Sequence, residues 1–394
     1  MAKTLVYQLY PLTWSSIREM TAFLPRVKAL GATHVWLSPI YPSPRYDGGY
    51  DVADYYNVDY RLGSLTDFDE FVRTAHALGL KVIMDLVLNH TSTEHTWFHS
   101  HPDYYIWNKT DKPGWVNLFD GGSAWQYHAL RDKYYCHLFH QKQADLNWFP
   151  GGKLNMVLVE EFTAIIKFWI YAHGVDGFRL DAIQALNKKL NADSVSFTDL
   201  LIGERATTVI SRLSHQQGIR NPFFMAEVFD PQGSIVDYYA EHTDIEYITN
   251  VGLKDEKDME ALHGRLEKHI KNPRFILELE SHDSPRFTSR SGLPANQILA
   301  DMFGTDVKAI CLYQGQELGL DNPTPLELPL SKMVEIDAMT AMQLERGADP
   351  QSLRNTSRAN ARVPLPLDFY AKQELDSRST LSKAKHYIQF WLDN

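Results

Sequence analysis

The stretch GVDGFRLDAI, Gly174 to Ile183, reads as a short apolar strand punctuated by glycine, yet Arg179 and Asp181 interrupt it two residues apart. Alternation along a strand puts those two side chains on one face and Phe178 and Leu180 on the other. Charge on one face of an otherwise apolar strand calls for partners from neighbouring strands, and the surrounding sequence supplies candidates.

Seven further runs rich in β-branched and aromatic residues accompany it, at 4–10, 33–40, 81–90, 222–229, 243–249, 274–283 and 307–315, most of them separated by helix-like segments. TDFDEFVRTAHALGL (66–80) reads as such a helix with an N-cap at Thr66 and a stop at Gly79, and LVEEFTAIIKFWIYAHG as one that ends at Gly174. Eight strands alternating with helices predict an α/β protein with a parallel sheet, and the number eight favours a closed (β/α)8 TIM barrel over an open sheet. Residues 1–90 would supply strands one to three, 91–152 a small inserted subdomain without helical period, and 153–394 the remaining strands, with an irregular insertion at about 316–378.

Composition narrows the partners. A formal net charge of -10 argues against a nucleic-acid or anionic-lipid surface, and 44% hydrophobic and 12% aromatic residues are ordinary for a globular chain. Neutral small molecules are the expected partners. The longest apolar runs fall far short of a membrane span, and the N-terminal segment lacks the pattern of a secretory signal, so a cytoplasmic protein is expected.

Active sites of TIM barrels lie at the C-terminal ends of the strands, so polar residues late in an apolar run are the ones to weigh. Strand three ends in Asp85, Asn89 and His90, strand four in Arg179 and Asp181, strand five in Glu227 and strand seven in His282 and Asp283. One buried charge alone is as well explained by a structural ion pair. Four strands converging on one end suggest chemistry instead. Arg179 is expected to hold Asp181 ionised, as suits a nucleophile, while the apolar FFMA before Glu227 is expected to raise its pKa toward that of a general acid. Two carboxyl groups in different environments are the pattern of glycoside hydrolysis.

These segments resemble the ordered motifs of the α-amylase superfamily, glycoside hydrolase family 13: DLVLNH, GFRLDA, AEVF and SHDSPR occur in the family's order on successive strands. The similarity runs from about Val6 to Leu375 and is nearest to the oligo-1,6-glucosidase and α-glucosidase branch, through VYQLYP, WLSPIYPSP, GYDVADY, NHTSTEH, GGSAW, HLFHQKQADLNW and YQGQELG. The resemblance implies Asp181 as nucleophile, Glu227 as acid/base and Asp283 as the carboxylate that stabilises the transition state. It implies that His90 and His282 bind the sugar ring, that Arg179 supports the nucleophile, that Tyr50 is an aromatic platform, and that Asp47 and Arg362 close the pocket in exo-acting members. The implied activity is a retaining exo-acting α-glucosidase on short oligosaccharides or glucosides. A transglucosylase or sucrose-active isomerase and a catalytically dead binding barrel are the alternatives.

Other features are plainer. His90, His95, His99 and His101 match no helical metal motif, no acidic loop follows strand one, and Gln184 and Ala185 replace the Lys-His pair of calcium-binding relatives, so no metal and no cofactor are expected. Trp97, Trp107, Trp115, Trp125 and Trp148 read as the core of the inserted subdomain rather than as sugar platforms. Ser281 stands where the family usually has Asn, which predicts one lost hydrogen bond near the leaving group or nucleophile. Ala182 stands where α-1,6-preferring relatives carry valine, which tilts the expectation toward α-1,4 bonds or short substrates. The chain ends at Asn394, so the family's C-terminal β-sandwich is expected to be absent.

Overall fold

A computed structural model describes residues 3–394 apart from 217, 219–221 and 256–258. The eight expected strands form as β1 (Thr4–Leu9), β2 (His34–Leu37), β3 (Lys81–Val87), β4 (Gly177–Asp181), β5 (Phe223–Val228), β6 (Tyr247–Asn250), β7 (Ile276–Glu278) and β8 (Ala309–Tyr313). Successive strands pair in parallel from β1 to β6, β7 pairs with β8, and β8 returns to β1. A single parallel bridge, Ile248–Phe275, joins β6 to the segment entering β7, so the sheet is a nearly closed (β/α)8 barrel.

Inward side chains grade from apolar to polar toward the C-terminal end. Val6, Trp36, Ile83, Met225, Tyr247, Ile276, Ala309 and Cys311 form one interior cluster, with a residue from every strand except β4. At β4 the position belongs to Gly177, where a Cβ would lie 2.1 Å from the Phe223 carbonyl oxygen of β5. The other glycine of the opening stretch, Gly174, has φ +73, which ends the preceding helix at little steric cost. Outward, Phe178 and Leu180 join the large cluster beneath the helices.

The helices follow their caps. The one after β2 runs Leu65–Ala77 and is capped by Ser64 in a reciprocal capping box with Asp67, so Thr66 is a helical residue and not the expected N-cap. The cap thus lies two residues before the expected one. The last helix, Thr380–Asp393, sets Leu381, Ile388 and Trp391 into the core, at roughly 1.5–3 kcal/mol each.

Between β3 and the helix Met156–Lys167 the chain makes small antiparallel pairings, His90–Ser92 with Gln143–Asp145, and Lys133–Cys136 with Trp107–Asn108 and Trp125–His128. Trp97, Trp115, Trp125 and Trp148 are buried there and Trp107 is half-buried. His95 caps the helix Thr96–Ser100 by accepting the Trp97 N–H. The stretch 316–378, expected to be irregular, instead holds the helices Leu330–Ile336, Ala338–Glu345, Pro350–Thr356 and Leu367–Leu375. Pro329, Pro350 and Pro366 stand at the starts of three of these helices, where the fixed φ of proline is compatible with a helix.

Candidate active site

The barrel register sets Arg179 of β4 beside Asp85 of β3. Arg179 Nη1 donates to Asp85 Oδ1 and to Asp181 Oδ1, both at 2.6 Å, and Nη2 pairs with Glu227 at the tip of β5. One guanidinium therefore serves three carboxyl groups. Asp85 is further fixed by the Trp36 indole N–H at 3.0 Å and the Tyr50 hydroxyl at 3.1 Å. Burial pushes Asp85 up to about 6 against the pull of Arg179.

Two expectations are corrected by this sharing. Asp181 lies well above the usual carboxylate range, because burial and the like charges of Glu227 and Asp85 outweigh Arg179. Arg179 therefore fixes the Asp181 side chain without holding it ionised on its own. Glu227 does not sit in apolar surroundings either, since its carboxyl meets the same guanidinium.

The opposite wall has the reverse charge balance. Asp283 meets Arg362 Nη2 at 3.0 Å, Arg358 Nη1 at 3.3 Å and His282 Nε2 at 2.9 Å. Burial alone would raise its pKa, yet His282, Arg358 and Arg362 hold it well below the usual range. Asp47 accepts from Arg358 Nη2 at 2.9 Å and from Gln143 at 3.1 Å, whereas Arg362 Nη1 stays 4.0 Å away. The pairing expected between Asp47 and Arg362 is thus made chiefly by Arg358, and Arg362 reaches Asp283 and the His282 carbonyl instead.

Arg358 is in turn gripped by Asp337 Oδ1 at 2.7 Å. Asp337 also accepts from the Thr340 and Ser357 hydroxyls. Its burial works against its ionised form, but Arg358 and Arg362 bring it down to about 2.

A cavity of about 130 Å³ lies between the two walls, lined by Asp47, Tyr50, His90, Phe119, Phe139, Asp181, Ala182, Glu227, Asp283 and Arg358. That is far below the roughly 300–1,000 Å³ of pockets for drug-sized ligands, and it suits a single small ring. Of the residues expected from sequence, Asp47, Tyr50, His90, Asp181, Glu227 and Asp283 line it, while Arg179, His282 and Arg362 stand behind them. The His282 ring is sandwiched between Tyr50, stacked at 5.1 Å, and Tyr10, stacked at 5.3 Å. His90 contacts Gln143 and Asn89 through its two ring nitrogens, and burial lowers its pKa to about 4, so it is neutral near pH 7. Phe119, Phe139 and Arg358 were not foreseen. The two arginines of SRANAR, four residues apart, were the one sequence signal for Arg358.

Ala182 on the cavity wall has φ 44 and ψ 43, a left-handed conformation in which a β-branched side chain is a steric outlier. Lys188 Nζ, almost fully buried, bridges Asp145 Oδ2 at 2.9 Å and Asn89 Oδ1, tying the end of β3 to the 143–145 strand. Among the described residues no group of three or more His, Cys, Asp or Glu side chains is arranged to hold a metal ion. No described helix is long and apolar enough to cross a membrane.

Comparison with known proteins fits this geometry. Residues 14–368 match the family model "Alpha amylase, catalytic domain". The trehalose-6-phosphate hydrolase of Escherichia coli is 30% identical over 91% of this chain and 74% of its own length. The α-glucosidase of Pediococcus pentosaceus is 32% identical over 93% and 76%. Among solved structures, the trehalose-6-phosphate hydrolase of Bacillus licheniformis superposes with a TM-score of 0.85 at 27% identity, covering 100% of this chain and 84% of that one.

Proposed function

The chain belongs to the α-amylase family, glycoside hydrolase family 13, and on that premise we propose that it is a retaining, exo-acting α-glucosidase that removes terminal α-glucosyl units from short neutral oligosaccharides or glucosides. The observation that carries the reading is the small cavity walled by Asp181, Glu227 and Asp283 and closed by the Asp47–Arg358 ion pair. A pocket with room for one ring favours removal of single units from a chain end. Residues 91–152 act as a subdomain that contributes Phe119 and Phe139 to its wall.

Retention needs two carboxyl groups about 5–5.5 Å apart, closer than the spacing that admits a water between acid and base. Asp181 and Glu227 bound to one guanidinium support that shorter spacing. In the first step Asp181 Oδ attacks the anomeric carbon while Glu227 gives its proton to the departing glycosidic oxygen. This step requires Glu227 protonated and Asp181 ionised, with Arg179 Nη1 donating to Asp181 Oδ1 at 2.6 Å. In the second step Glu227 accepts a proton from water, which displaces the sugar from Asp181. Asp283, kept anionic by its two arginines, binds sugar hydroxyls as positive charge develops on the ring.

Linkage preference follows from Ala182, whose small side chain and left-handed backbone leave the leaving-group side open to α-1,4 bonds or compact aglycones. A second reading, transfer to a sugar acceptor, is favoured by the apolar Phe119 and Phe139 on the cavity wall. Both are tested by following maltose, isomaltose, sucrose and trehalose by NMR and product chromatography. α-Glucose appearing first supports retention with hydrolysis, new disaccharides at early times support transfer, and β-glucose appearing first excludes the mechanism.

A further inference from the structure

The loop that carries Asp283 is pinned by a residue of the neighbouring strand's turn. Lys254 lies in the turn Val251–Asp255 that follows β6, and its side chain is almost completely buried. Its Nζ stands 2.9 Å from Ser281 Oγ and 3.1 Å from Glu278 Oε1. Glu278 is the last residue of β7, and Ser281 Oγ accepts the backbone N–H of Asp283 at 3.2 Å. A chain of contacts thus runs from the ammonium of Lys254 through the Ser281 hydroxyl to the Asp283 backbone.

Stability is a poor explanation for this arrangement. Removing an ammonium and a carboxylate from water costs several kcal/mol, and a well-packed apolar pair in the same volume is often as stable. The arrangement makes sense as geometry. An Asn at 281, the residue the family resemblance leads one to expect, accepts the N–H two residues on through a self-contained Asx turn, whereas serine makes the equivalent turn more weakly. Lys254, donating to one lone pair of Ser281 Oγ, leaves the other directed at the Asp283 N–H. The contact of Ser281 Oγ with the Asp283 N–H is thereby held.

We propose that Lys254 is a positioning residue for Asp283, acting through Ser281, and that Lys254 and Ser281 together replace the single-residue turn that Asn would make. The proposal rests on the assignment of Asp283 to the sugar site. The test is steady-state turnover of an aryl α-glucoside by the full chain and by Lys254→Met, Ser281→Ala and the double variant Lys254→Met/Ser281→Asn, each normalised to the folded fraction by circular dichroism. Displacing a catalytic group by a fraction of an ångström to one ångström costs up to about 100-fold, so both single variants lose about 10- to 100-fold in kcat with little change in KM. The added Asn restores most of that loss.

Unchanged kcat per folded molecule in both single variants, or a loss that Ser281→Asn does not relieve, overturns the proposal. Should Lys254→Met fail to fold, Ser281→Ala decides, because it leaves the Lys254–Glu278 pair whole. A parent chain that turns over none of the glucosides is a different failure: it removes the sugar-site assignment and this proposal with it.

Discussion

Asp181 and Asp283 face the same cavity under opposite charge regimes. Asp181 divides one guanidinium with Asp85 and Glu227 and is pushed up, while Asp283 meets two guanidinium groups, Arg362 and the Arg358 it shares with Asp47 and Asp337, together with His282, and is held down. The first wall is built on the regular strands β3, β4 and β5, and the second on β7 together with the helical insertion at 330–375. The difference teaches how one small pocket keeps two kinds of carboxyl group. The wall short of cations pushes Asp85 and Asp181 up, and the wall rich in them holds Asp283 and Asp337 down.

The largest way to break the contrast is to neutralise the cation-poor wall. Asp181→Asn and Glu227→Gln should each lower kcat by ~10⁴-fold or more on an unactivated disaccharide, with far less than additive loss in the double variant, as steady-state kinetics would register. Near-parental turnover by either single variant would falsify the assignment of that wall.

On the cation-rich wall the sharpest perturbation is Asp337→Asn. It leaves Arg358 without its main buried anchor, so chemical denaturation should show a loss of about 3 kcal/mol, and KM should rise more than kcat falls as Asp47 and Asp283 lose their fixed partner. A KM equal to the parent's in the folded variant would mean that the insertion does not shape the pocket.

The two walls also predict opposite pH dependence. Asp337 falls from an ordinary 3.8 to about 2 on folding, so its contribution is present above pH 3.8 and is lost as pH falls through about 2. Asp85 rises from 3.8 to about 6, so its contribution is present below pH 3.8 and is lost as pH rises through about 6. Melting curves from pH 2 to 7 should therefore show the parent's advantage over Asp337→Asn shrinking toward low pH. The advantage over Asp85→Asn should shrink toward high pH, and slopes of the same sign in both comparisons would contradict the charge bookkeeping.

The smallest effect is local. Ala182→Gly should leave stability within about 1 kcal/mol of the parent or raise it, because glycine accepts a left-handed backbone freely, and Ala182→Val should cost about 1–2 kcal/mol. Differential scanning calorimetry separates the two. If valine is tolerated without cost, the backbone at 182 is not what keeps the residue small.

The strand-built wall was legible in sequence because period-two alternation alone carries Arg179, Asp181 and Glu227 to the mouth of a barrel. Its electrostatics were not, since the sharing of Arg179 depends on a register that sets Asp85 beside it across 94 residues. The second wall was half legible: Asp283 lies in the loop past β7, late in the apolar run that marked the strand, but Arg358 reaches Asp47 across 311 residues from a segment that reads as irregular. Asp337 carries no strand or helix period that distinguishes it from any other N-cap. The contact of Ser281 with Lys254 was not legible, because the two lie 27 residues apart on the turns of different strands.

The central claim is that Asp181 takes the sugar covalently, and it is tested most directly by incubating the chain with 5-fluoro-α-D-glucosyl fluoride and measuring the mass of the intact protein and of its peptides. The account predicts one added fluoroglucosyl unit, carried by the peptide containing Asp181 and absent from Asp181→Asn. A parent enzyme that turns over glucosides yet carries the label on another residue, or carries none, would contradict it.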